Sequence, residues 1–164
     1  MSDKEFMSPT AGALTFEEMF EEIIEYIGVE PEMSYKLIVG TDSHLREEEY
    51  VFVVAVIVHR ISKGARYFYH KNKQTHINSL RQKIFYEASL SLQTAGRLAA
   101  QLAANGLDDR FNNLNVEIHL DVGREGDTRD LIKEVIGMVT GSGFSPIIKP
   151  DSYGASKVAD KYTK

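Results

Sequence analysis

Two aspartates stand at the close of apolar runs, where chemistry rather than packing would explain an acid. Asp42 ends the run LIVGT and is followed at once by Ser43 and His44. Asp121 ends the run VEIHL, with Gly123 two residues later. In open α/β sheets, ligands and catalytic groups collect outside the carboxyl ends of strands, so both acids stand where a site would form. A turn aspartate that bonds its own backbone is the structural alternative for Asp42. Were the two carboxylates side by side, their repulsion would make sense mainly with a cation between them.

Other residues could join them. Glu87 lies three residues after Ile84 and four before Ser91, on the flank of a helical apolar stripe. From there it either points toward a sheet or snorkels to water. Asp160 sits between Lys157 and Lys161 in the closing ASKVADKYTK and alone would read as a surface acid. Glu117 and His119 share the face of Asp121 by strand alternation, with solvent exposure or a satisfied hydrogen bond as the structural alternative. Ser43, His44 and Lys157 are candidate substrate-binding residues; His44 is either a ligand or acid/base group or an ordinary loop histidine. Lys149, Lys157 and Lys161 could meet phosphate or simply be solvated. The segment DVGREGDTR (121–129) offers two glycines before a helix start but lacks the Gly-Lys-Ser/Thr of a P-loop.

The elements that must position these residues follow from periodicity. Residues 1–14 show none and are expected to form a loose tail. Thr15 and Glu18 make a capping box for an amphipathic helix that reaches about Tyr26 and stops at Gly28 and Pro31. Residues 35–42, 50–60 and 66–71 read as three strands joined by hairpin-sized links, hence an antiparallel meander. The second is apolar on both faces and is therefore central or covered on both sides. Ser79 and Gln82 cap a long helix to about Ala104. A fourth strand spans 116–121, and Asp127 or Thr128 caps a helix to Gly141. A fifth strand at 146–149 and a brief helix near 155–162 close the chain. The expected class is α/β, a mixed five-stranded sheet flanked by helices, with a tail and leader helix at 1–34 and the domain proper at 35–164.

Composition bounds the chemistry. The 164 residues suffice for one ordinary core without cross-links. There is no cysteine, so any metal must be held by carboxylate, imidazole or carbonyl groups, which favour Mg²⁺ or Mn²⁺. No apolar run reaches membrane-spanning length, and the first residues lack a secretory pattern, so a cytoplasmic location is expected. The net charge of −5 is uneven: residues 1–34 hold nine acids and one lysine, and the remainder holds 18 basic and 15 acidic residues. The body could therefore still meet a polyanion, RNA or DNA, although a surplus of that size also fits an ordinary solvated surface.

IVGTDSH, the long helix with Glu87, IHLDVG and the late Asp160 follow the acid order of the ribonuclease H superfamily. From residue 35 onward the chain resembles the RNase-H-like family of bacterial YkuK-like proteins, most recognisably in DVGREGDTR and SYGASKVADKYT. The resemblance implies a ribonuclease H-like fold and a nuclease of two-metal phosphodiester chemistry. Asp42, Glu87, Asp121 and Asp160 would be the carboxylates that hold divalent ions. Two departures stand out. Ribonuclease H itself has Gly-Ser after its first aspartate, where this chain has Ser43 and His44, and a histidine before its last, where this chain has Ser152, Tyr153 and Lys157. The rival expectation is a non-catalytic member of the fold that serves as a binding or scaffold module.

Overall fold

A computed structural model describes residues 3–106, 114–124, 126–149 and 151–152. Lys157, Asp160 and the expected closing helix lie outside the described residues. The described elements run β1 (Phe6–Ser8), β2 (Gly12–Leu14), α1 (Phe16–Val29), β3 (Tyr35–Arg46), β4 (Glu49–Arg60), β5 (Gly64–Gln74), α2 (Leu80–Ala104), β6 (Asn115–His119), a 3₁₀ turn (Arg129–Leu131), α3 (Ile132–Gly141) and β7 (Ser145–Ile147). They build one mixed sheet in the order β2-β1-β5-β4-β3-β6-β7. The meander β3-β4-β5 is antiparallel, and β6 and β7 continue it in parallel, as the helix-linked order requires.

The sheet has seven strands, not five. The two extra strands come from the segment expected to be a loose tail: residues 6–14 fold as a hairpin whose Met7 pairs with Tyr69 of β5. Their hydrophobic signal is two short contacts rather than a periodic run. Phe6 is fully buried, and its ring meets Phe16 at 6.2 Å and His70 edge-on at 4.9 Å. The apolar face of α1 (Met19, Phe20, Ile23, Ile27) joins the same core as Leu37, Val54 and Leu98, so the leader packs as part of the domain. Arg60 ties it down further, donating to the Tyr35 hydroxyl at 2.9 Å and the Tyr26 carbonyl at 2.8 Å.

Local chemistry mostly follows the sequence. Thr15 and Glu18 form a reciprocal capping box. At α2, Ser79 accepts from the Gln82 amide, but the Gln82 side chain accepts from Asn78, one residue before the cap. Neither Asp127 nor Thr128 caps α3 directly. A 3₁₀ turn intervenes, and the Thr128 hydroxyl accepts from the Gly123 N–H at 3.1 Å, bracing the loop after Asp121. β4 is buried along both faces from Val51 to Val58, as a central strand must be.

Candidate functional site

β3 and β6 are parallel neighbours, with Gly40 opposite His119 at the last paired position. Asp42 and Asp121 each lie two residues beyond that last pair. Asp42 does not end its strand, however. β3 runs on to Arg46, and Asp42 pairs with Val53 of β4. What ends near Asp42 is the pairing with β6, so the acid stands where the parallel pair parts.

Alternation divides the side chains of β3 between the two faces. Thr41 and Ser43 face α2: the Thr41 and Ser91 hydroxyls bond at 2.8 Å, and the Ser43 hydroxyl donates to Glu87 Oε2 at 2.5 Å. Asp42 and His44 lie on the opposite face, with His44 exposed. Glu87 thus points at the sheet rather than at water and is buried to 4% exposure. Burial pushes its carboxyl up to about 7, and the charges of Asp121 and Asp42 push the same way, while Lys83 and the Ser43 bond oppose them. Two of the other expected acids, Asp121 and Asp42, therefore act electrostatically on Glu87. Their side chains do not converge on a point: among the described residues no three His, Asp or Glu groups form a ready cluster for a metal ion.

Lysines meet two of these acids. Lys83 Nζ lies 3.4 Å from Glu87 Oε2, and Lys149 Nζ lies 2.7 Å from Asp121 Oδ1. Lys149, a candidate phosphate contact by sequence, is thus committed to an acid. The signal for Lys83 was its place one helical turn before Glu87. Glu117 and His119 are buried rather than exposed and bond each other at 3.1 Å, with Lys36 completing the pair at 3.3 Å from Glu117. The other ring nitrogen of His119, Nδ1, is buried without a hydrogen-bond partner. A separate cavity of about 570 Å³ lies beside β5, lined by His70, Asn72 and Arg97 among others. Asn72 and Ser43 both pair with Phe52, two strand spacings or roughly 10 Å apart, so this cavity neighbours the acids without containing them.

A family model described as ribonuclease H-like matches residues 18–164, and the chain belongs to that family. It is 34% identical over 172 aligned positions to a Bacillus subtilis (strain 168) protein named "Uncharacterized protein YkuK", an alignment that spans 97% of this chain and 96% of that one. No solved structure matches at a significant level. Among the described residues, no helix is long and apolar enough to cross a membrane.

Proposed function

We propose that this chain is a divalent-metal-dependent nuclease that hydrolyses phosphodiester bonds in RNA or DNA, with Asp42, Glu87, Asp121 and Asp160 as the carboxylates that hold the metal. One observation carries the reading: Glu87 is buried, yet the charges of both Asp121 and Asp42 act on it. A carboxylate desolvated beside like charges is costly for folding, and a cation among the three relieves that cost. The donors are all hard oxygens, which suit Mg²⁺ or Mn²⁺. Membership of the ribonuclease H-like family supports a nuclease or nucleic-acid-related function on independent grounds.

A divalent ion, when bound, supplies Lewis-acid stabilisation of charge developing on a phosphodiester and acidifies an attacking water. The residues of the chain do the rest. Ser43 fixes one Glu87 oxygen, Oε2, leaving Oε1 outside that bond. Thr128 braces the loop that follows Asp121 through the Gly123 amide. His44, exposed one residue beyond Ser43, is available to the substrate, and Lys157, outside the described residues, is the further substrate-binding candidate.

Purified protein is expected to cleave single- or double-stranded RNA or DNA with Mn²⁺ or Mg²⁺ and to lose that activity with EDTA. Asp42→Asn should reduce cleavage at least a hundredfold, on the order of 3 kcal/mol in the barrier, with the fold retained. Cleavage that survives Asp42→Asn contradicts the mechanism. A folded protein that neither cleaves nor binds metal would favour the scaffold reading instead.

A further inference from the structure

The cavity of about 570 Å³ between β5 and α2 has no part in the proposed cleavage, yet its lining presents unused donors. Its volume falls within the roughly 300–1,000 Å³ of small-molecule sites. Thr94 forms part of the wall at 3% exposure, and none of the described hydrogen bonds involves its hydroxyl. A buried hydroxyl without a partner costs folding free energy that a bound ligand would restore. Asn72 is oriented by two donors: its Oδ1 accepts from Gln74 Nε2 at 3.1 Å and from the Tyr86 hydroxyl at 3.2 Å. With that oxygen engaged twice, the two Nδ2 N–H donors are left for the cavity that Asn72 lines.

Charge points the same way. Arg97 donates to Glu5 at 2.7 Å and lies over the Phe16 ring at 4.2 Å, which holds the guanidinium in place with its other N–H groups outside that bond. Burial lowers the proton affinity of the His70 ring, so Lys71 and Arg97 against Glu5 leave one net positive charge on the lining. A wall rich in donors and cations suits an acceptor-rich anion, of which a phosphoryl group is the type. A bare phosphate fills only a small part of the volume, whereas the Gln93 amide and the apolar Leu90 offer what the polar edge and flat face of a nucleobase need. We propose that this cavity binds a nucleotide phosphomonoester, with the phosphoryl oxygens on Thr94, Asn72, Lys71 and Arg97 and the base against Gln93 and Leu90. The site uses none of the carboxylates assigned to cleavage and needs no metal.

Calorimetric titration of the full chain in EDTA tests this. The probes are adenosine and uridine 5′-monophosphates, the two nucleosides, inorganic phosphate and 5′-phosphorylated dinucleotides. At least one monophosphate should bind about tenfold or more tightly than its nucleoside and than inorganic phosphate. Thr94→Val removes only the unpaired hydroxyl, so it should melt at or above the wild-type temperature yet weaken that monophosphate on the order of tenfold. Lys71→Gln, at an exposed side chain, should weaken it by up to about fivefold, with the difference shrinking at high salt. A dinucleotide that binds more tightly than the monophosphate would assign the cavity to the phosphorylated end of a strand, and one that binds equally or less tightly to a free nucleotide; either result upholds the site. No binding of either monophosphate, a nucleoside bound as tightly as its monophosphate, or a Thr94→Val affinity equal to that of wild type would overturn it. Because EDTA removes divalent ions, none of these results bears on the metal-site reading.

Discussion

Glu87 is the residue on which burial and charge act most strongly, with a carboxyl pushed up to about 7 from an ordinary 4.5. Between those values the folded chain holds a proton that the unfolded chain has released. Stability therefore falls as pH rises through that window, and the loss is complete above it. Glu87→Gln cannot ionise, so it should flatten the slope and stabilise the protein above pH 7 by on the order of 3 kcal/mol, read from urea melts across the range. Equal slopes for variant and wild type would mean that Glu87 is not buried as described. At this scale Asp42 and Asp121 stood out in the sequence, because an acid closing an apolar run breaks a local pattern, whereas Glu87 on the flank of its stripe left both the sheet and water open. Lys149 on Asp121 was not legible, because that contact depends on how β7 pairs with β6.

The hairpin β1–β2 is the element that sequence patterning missed. Its strands have three residues each, too short for a periodic signal, and what anchors them is Phe6 against Phe16 and His70. Phe6→Ala should accordingly cost about 3–5 kcal/mol, the usual range for emptying a buried aromatic site, measured by urea unfolding. A change near zero would restore the picture of a loose tail. Several other elements announced themselves: β4 by apolarity on both faces, and α1 and α2 by their caps and stripes. Boundaries were less legible. β3 extends four residues past Asp42 because Ser43–Arg46 pair with Glu49–Phe52, and polar residues near a hairpin give no hint of such pairing.

For the whole molecule, the parallel register of β3 and β6 turns separate acids into neighbours, with α2 bringing Glu87 from one face and Asp42 lying on the other. The nine acids of residues 1–34 account for the negative total charge, which leaves the rest of the chain with a slight basic excess. The central claim is that the site of Asp42, Glu87 and Asp121 holds a divalent ion between carboxylates. Anomalous scattering from crystals soaked in Mn²⁺ tests it most directly. The account predicts a peak within roughly 2.0–2.3 Å of oxygens from Asp42 and Asp121 or Glu87, with Lys149 withdrawn from its 2.7 Å contact. Crystals that take up Mn²⁺ elsewhere while Lys149 stays on Asp121 and Lys83 on Glu87, with no peak among the acids, would contradict it.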